Sequence, residues 1–290
     1  MNESFSQDTK NEICTVRLKN KCCRESMLYG MLYGCSCFSP DRILLETENP
    51  SVFSVYKRLI KEVTEIHIKN DISVANCNDK DIISVICDKI GVSDRNSINL
   101  DIMKCDGCRW SFVRGVFLSC GTVTSPDNAY HMEFLFDSLS VANNFCDFLS
   151  ELAGQPKVIE RHGGFGVYYK DSDTVVDVLG QMGASASTFK LLDVKIYRDL
   201  RNNINRVSNC ELANLGKTLN ASGEQVRAIE KIVSSGKADE LSSELRQTLD
   251  LRMAFPNDTL LELALRHVPP ITKSGVNHRL KKLIEFSKKC

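Results

Sequence analysis

Two stretches of the chain, 85 or 86 residues apart, share one pattern of apolar, small and polar positions. MLYGMLYGCSCFSPD (27–41) and FVRGVFLSCGTVTSPD (112–127) each run an apolar segment with a central glycine into small residues and then Ser-Pro-Asp. The segments downstream of the two stretches also match in kind. ILLETENP and AYHMEFLFD read as strands, and VFSVYKRLIKEV and SVANNFCDFLSEL place apolar residues at helical spacing. Extended sequence comes next: Thr64-Glu65-Ile66-His67-Ile68-Lys69 in one copy and PKVIERHGGFGVYYK in the other, where Gly163-Gly164 marks a hairpin turn. KDIISVICDKIGVS and SDTVVDVLGQMGAS close the copies as helices. Helix, strand, helix, strand-strand, helix, twice over about residues 22–93 and 108–186, predicts an α+β duplication.

Beyond the repeat the period changes. Phe189, Leu192, Ile196, Leu200 and Ile204 stand at steps of three and four, which predicts an amphipathic helix after Ser187 as N-cap. Its far end, YRDLRNNINRVSN, is polar and basic, so residues 195–208 read as a helical linker. From Asn209 the pattern is wholly helical. Asn209-Cys210 opens one helix, Ser222 with Gln225 has the spacing of a capping box for the next, and Asp239 begins a third that Pro256 ends. Asp258 then reads as the N-cap of TLLELALRH, Val268-Pro269-Pro270-Ile271 as a turn, and Thr272 as the N-cap of KSGVNHRLKKLIEFSK.

Two short helices about a tight turn have the layout of a helix-turn-helix, at about residues 258–290. Val276, Leu280, Leu283 and Ile284 should face the bundle. That leaves Lys273, Ser274, Asn277, His278 and Lys281 on the open face, with Arg279 and Lys282 flanking it. These side chains read bases and hold phosphates: Asn pairs with adenine, Arg with guanine, and Lys or a helix N-terminus with phosphate. Gly275 in the first turn permits close backbone approach. The competing reading is a basic helix whose charges are only solvated, and it applies with equal force to Arg198, Arg201 and Arg206.

Charge sharpens this division. The whole chain is neutral, yet residues 1–194 carry 20 Lys and Arg against 26 Asp and Glu, net −6, and residues 195–290 carry 17 against 11, net +6. A basic segment appended to an acidic body suits a polyanion partner. A local strip at Arg58, Lys61 and Lys69 could escape the acidic average. At 290 residues, 42% hydrophobic and 26% charged, the chain has room for two packed domains. It contains no apolar run long enough to span a membrane and no signal peptide, which points to the cytosol, at the nucleoid if DNA is the partner. The 13 cysteines are odd in number and scattered, as reduced thiols are.

Other candidate chemistry is thin. Cys105-Asp106-Gly107-Cys108 has the C-x-x-C spacing of a zinc or redox site, but zinc would need two more ligands that the neighbouring sequence does not supply, so a plain loop is expected. Cys35, Cys37 and Cys120 would approach one another if the two glycine-bearing helices pair. Neighbouring thiols in a core are usually small hydrophobes. His67, His131, His162, His267 and His278 are dispersed, no phosphate-binding loop or GxSxG elbow occurs, and Trp110 reads as packing. No metal and no cofactor is expected.

The paired glycine-bearing helices resemble the LAGLIDADG homing-endonuclease fold. That repeat, the opening SFSQDTKNEI and the segment NRVSNCELANLGKT…PPITKSGVNHRLKKL together are similar to the WhiA family, over nearly the whole chain. The resemblance implies a DNA-binding transcriptional regulator of Gram-positive bacteria, linked to sporulation or to cell division and chromosome segregation. In an active LAGLIDADG enzyme the last Asp of each motif helix binds divalent metal beside the scissile phosphate. Aligning Gly30 and Gly115 with the first glycine of the motif puts Cys35 and Cys120 at the two acidic positions. A thiol is a soft ligand, poorly matched to Mg²⁺. The expectation is therefore a non-enzyme: a LAGLIDADG-like domain over 1–194 without catalytic residues, then a helical domain over 209–290 that binds double-stranded DNA. The first domain could keep DNA contact through its sheets, meet another regulator or cell-division protein, or serve as a frame. A residual metal-dependent endonuclease and a protein-interaction scaffold are the rival readings.

Overall fold

The computed structural model describes residues 4–65, 76–92 and 94–290. They fall into two compact units divided between Arg198 and Asp199.

The first unit opens with α1 (Phe5–Cys14), capped by Ser4, whose hydroxyl accepts from the Gln7 amide. Helix α2 (Lys21–Tyr33), strands β1 (Cys37–Ser39) and β2 (Arg42–Leu44), α3 (Pro50–Thr64), β3 (Asn76–Cys77) and α4 (Lys80–Ile90) form the first copy. The second copy is α5 (Asp106–Cys120), β4 (Gly121–Val123), β5 (Met132–Phe136), α6 (Leu139–Ala153), β6 (Lys157–Arg161), β7 (Gly164–Tyr169) and α7 (Ser172–Gln181). Each copy thus has a short strand directly after its glycine-bearing helix, one more than the hydropathy pattern predicts. Three residues are too few to show alternation, and Gly121–Val123 forms because it pairs with Met132–Phe134. The extended stretch predicted from Thr64 lies outside the described residues, except that Thr64 ends α3 and Glu65 caps it in the left-handed region.

Local chemistry explains most boundaries. Asn49 accepts from the Ser51 and Val52 amides with Pro50 at the first helical position, and Asp79 accepts from Asp81 and Ile82. Both sheets are antiparallel, in the orders β1-β2-β3 and β4-β5-β7-β6 among the described residues. The inner face of the second sheet, Met132, Phe134, Phe136, Val167 and Tyr169, joins one core with α2, α3, α5 and α6. Its outer face carries Leu135 and Ile159, both exposed, and Glu133, which Arg161 engages at 3.0 Å.

The centre of this unit is the crossing of α2 and α5. A Cβ on Gly30 would overlap the Phe112 carbonyl oxygen, and one on Gly115 would overlap the Met27 carbonyl oxygen. Ser119 adds a hydroxyl bond to the Met31 carbonyl at 2.8 Å. Only residues without a side chain let two helix backbones come so close.

Helix α8 (Ser185–Ser234) runs without a break for 50 residues, which corrects three expectations. Its start lies before Ser187, and its first amides are held from another element: Glu12 accepts from Ala186 N at 2.5 Å and from Ser187 N at 3.0 Å. No new helix opens at Asn209, and Ser222 with Gln225 is not a capping box. The segment has no proline, and Ser222 lies within the helix with its hydroxyl donating to the Pro256 carbonyl.

The second unit adds a 3-10 turn (Lys237–Glu240), α9 (Ser243–Ala254), α10 (Leu260–Arg266) and α11 (Lys273–Ser287). Here too the caps differ from the sequence reading. Ser242 rather than Asp239 caps α9, and Thr259 rather than Asp258 caps α10, in a capping box with Glu262. Asp258 pairs with Arg266 at 2.6 Å instead. Ile229 and Ile232 of α8, Leu249, Leu263, Ala264, Val276, Leu280 and Leu283 form the core. Arg252, 2% exposed, sits at its edge and donates to the carbonyls of Pro256 (3.2 Å) and Asp258 (2.7 Å), fixing the loop between α9 and α10.

Candidate nucleic-acid interface

Helix α11 begins where expected: Thr272 Oγ1 accepts from the Gly275 amide at 3.1 Å. Val276, Leu280, Leu283 and Ser287 are its buried residues, so the helix has one fixed face and one outward face. Ile284, predicted with the buried set, is only half-buried. Lys273, Ser274, His278, Lys281 and Lys282 are exposed. Successive positions at 100° place Ser274, His278, Lys281 and Lys282 together, opposite Val276 and Leu280.

The other three candidates sit apart from that cluster. Asn277 is half-buried and, with Lys273, lines a groove of about 430 Å³. Lys217, Thr259 and Leu261 line the same groove, and the helical pattern gave no sign of Lys217 as its neighbour. Arg279, read from the sequence as flanking the open face, is engaged by a neighbouring helix. It turns to the other flank, where its guanidinium meets the Glu244 carboxylate of α9 at 3.2 Å and is only 19% exposed. Periodicity alone could not show this, because the partner lies 35 positions away in the chain. Arg198 is likewise engaged. It donates to the carbonyls of Pro126, Asp127 and Asn128 at 2.9, 2.9 and 3.1 Å and lies over the Tyr130 ring. Of the strip at Arg58, Lys61 and Lys69, Lys69 lies outside the described residues, and Arg58 faces Glu62 at 4.0 Å.

Cys35 and Cys120 lie near the ends of the crossed helices, where Gly34 leaves room for the Cys120 thiol. Desolvation by burial pushes both thiols up to about 12, so both stay protonated at neutral pH. The nearby charges are cations. Lys10 donates to the Leu118 carbonyl at 3.1 Å, and Arg95 donates to the Cys35 carbonyl at 2.8 Å and pairs with Asp137 at 2.6 Å. Protonated soft ligands beside two cations do not fit Mg²⁺, which needs hard oxygen ligands.

The C-x-x-C segment also differs from its expected surroundings. Cys105 caps α5 and Cys108 lies in its first turn, next to Cys22 and Cys23 of α2, so the two further thiols missing from the local sequence come from the other copy of the repeat.

Comparison with known proteins agrees with this architecture at both ends. The WhiA LAGLIDADG-like domain model matches residues 109–201, and the WhiA C-terminal HTH domain model matches residues 204–287. A probable cell division protein WhiA of Clostridium novyi is 34% identical over 304 residues, covering 97% of this chain and 96% of that protein. The chain belongs to the WhiA family. Another WhiA relative, a probable cell division protein of Thermoanaerobacter pseudethanolicus, is 34% identical over 310 residues, with 99% of this chain and 98% of the relative covered. The crystal structure of full-length DUF199/WhiA from Thermatoga maritima shares the fold at a TM-score of 0.56 and 21% identity, covering 99% of both chains. The WhiA assignment joins a LAGLIDADG-like fold to a helix-turn-helix domain, as the resemblance implies. No helix among the described residues is long and apolar enough to cross a membrane.

Proposed function

We propose that this WhiA protein binds double-stranded DNA with α11 in the major groove and regulates transcription of genes in cell division. One observation carries the reading: the outward face of α11 presents Ser274, His278, Lys281 and Lys282 together, while its inner face is fixed by Val276, Leu280 and Leu283. A rigid helix with hydroxyl, imidazole and ammonium groups on one side can donate to base edges and phosphates at once. Lys273 and Asn277 extend the contact at the start of the helix, and Lys217 adds a cation across the groove. Arg279 is a positioning residue that ties α11 to α9 through Glu244. The naming of relatives as probable cell division proteins supports the choice of target genes. Sporulation genes are a second class of target, and the protein then works at the nucleoid in the cytoplasm.

The first unit acts in this reading as a frame or a surface for other regulators. The outer face of its second sheet offers an internal Glu133–Arg161 pair and exposed Leu135, Ile159 and Lys157, a mixed surface rather than a basic one. The same unit lacks a Mg²⁺ site at Cys35 and Cys120, so the protein reads DNA without cutting it.

Genome-wide mapping of bound DNA tests the proposal. Sites found with the intact protein should vanish in a Ser274→Ala, Lys281→Ala, Lys282→Ala variant that remains folded. Persistence of those sites would move DNA recognition away from α11. Nicking of plasmid DNA by the purified protein with Mg²⁺ or Mn²⁺ would revive the nuclease reading.

A further inference from the structure

The starts of α2 and α5 bring four thiols together: Cys22 and Cys23 from one helix, Cys105 and Cys108 from its twin. Cys105 Sγ lies 3.7 Å from Cys22 Sγ, 3.5 Å from Cys23 Sγ and 3.4 Å from Cys108 Sγ, and Cys23 Sγ lies 3.9 Å from Cys108 Sγ. All four lie within 4.8 Å of one another. A tetrahedron of sulfurs each about 2.3 Å from a central zinc has edges of about 3.8 Å. Among the described residues this is the one grouping of three or more such side chains that could hold a metal ion.

We propose that Cys22, Cys23, Cys105 and Cys108 bind a structural Zn²⁺ that joins the N-terminal ends of the two crossed helices.

The ligand set is closed and all-sulfur, the arrangement of structural rather than catalytic zinc. An iron–sulfur cluster needs its four cysteines spread around several irons, wider than this set. A single Fe²⁺ fits the same sulfurs but binds such ligands less tightly than Zn²⁺. Neither helix has a side-chain cap at this end, so first-turn amides of both are left for sulfur, and both helix dipoles favour negative charge here. Asn20 Nδ2 donates to Cys105 Sγ at 3.8 Å, an outer partner of the kind that orients a metal ligand. A surface recess lined by Met103, Lys104, Cys105, Asp106 and Arg109 leaves a way in. On binding, the thiol protons pass to solvent, four Zn–S bonds form, and nothing is oxidised or reduced. The product carries two negative charges, which the two helix ends offset.

The position explains the arrangement. Gly30 and Gly115 bring the helices together at mid-length, and the zinc would fix their starts by linking residues 82 apart in the chain, Cys23 to Cys105. It would hold the crossing closed without using the ends where a nuclease keeps its metals.

The test uses the full chain purified without chelator. Elemental analysis should find one zinc per chain, and Co²⁺ added to chelator-treated protein should give the intense sulfur-to-cobalt charge-transfer and tetrahedral ligand-field bands of a four-thiolate site, which Zn²⁺ then erases. Cys108→Ser and Cys22→Ser should each lose that spectrum and the bound zinc, whereas Cys210→Ser should keep both. Because a ligand variant could fail to fold, the zinc content and cobalt spectrum of the unsubstituted chain decide the matter. Folded protein with no zinc and no cobalt–thiolate bands overturns the proposal. So does stoichiometric iron in place of zinc, or a Cys105–Cys108 disulfide in protein purified under reducing conditions.

Discussion

At the scale of single residues, two kinds of position do different work. Gly30 and Gly115 are there for what they lack. A methyl at Gly115 would overlap the Met27 carbonyl, a backbone atom that cannot swing aside. Gly115→Ala should therefore destabilise the first unit by about 1–3 kcal/mol or more, as overpacking does. Chemical denaturation checks this, and an unchanged midpoint would mean that the helices do not cross so closely. Arg279 and Lys281 are the second kind, two cations on one helix with different surroundings. Arg279 is held against Glu244 and Lys281 is exposed. Lys281→Ala should weaken DNA binding about equally across sequences, while Arg279→Ala should act mainly through stability, within roughly 1 kcal/mol for so exposed a partner as Glu244. A larger DNA-affinity loss from Arg279→Ala than from Lys281→Ala would reverse these roles. The glycines and the outward positions of α11 are legible in the sequence because each stands in a local pattern, and Cys35 and Cys120 are singled out by the family resemblance. That Arg279 is engaged and that Cys105 has three thiol neighbours are not legible there, because those facts depend on residues far away in the chain.

At the scale of elements, helical period is a better guide than helix boundaries. The glycine-bearing helices, α3, α6, α7, α10 and α11 lie where apolar spacing predicts them. The errors cluster at capping residues in the C-terminal third. Ser, Asp and Asn are abundant there, and a Ser-x-x-Gln spacing is only a cap if the chain before it leaves the helix. Across 185–234 it does not, because neither proline nor tertiary contact interrupts α8. Gly216 lies inside that helix, and a Cβ there would meet nothing within 4 Å. Gly216→Ala should therefore stabilise α8 by roughly 0.5–1 kcal/mol through helix propensity alone. Thermal melting followed by circular dichroism measures it. A lower melting temperature would show that Gly216 marks a bend or a contact that the continuous helix excludes.

At the scale of the whole molecule, the uneven charge determines how DNA affinity depends on salt. The chain is neutral overall, so any polyanion binding must come from a local arrangement rather than from bulk attraction. The acidic residues 1–194 oppose phosphate contact on average, and the outer face of the β4-β5-β7-β6 sheet, with Arg161 paired to Glu133, does little to overcome that average. If α11 and its groove hold the DNA, the slope of log affinity against log salt reports their contacts, at about 0.9 per phosphate on duplex DNA. Replacing Lys281 and Lys282 together by alanine should then flatten the slope by about 2 if each holds one phosphate, with the full chain and a bound duplex compared over a range of salt. Ser274→Ala and Asn277→Ala should behave differently. If they read base edges as proposed, each should narrow the gap between specific and unrelated duplexes by about 1–3 kcal/mol while leaving the salt slope in place. A slope unmoved by the double lysine variant would place the phosphate contacts elsewhere. The LAGLIDADG-like unit would then be a DNA-binding surface in its own right, despite its net charge.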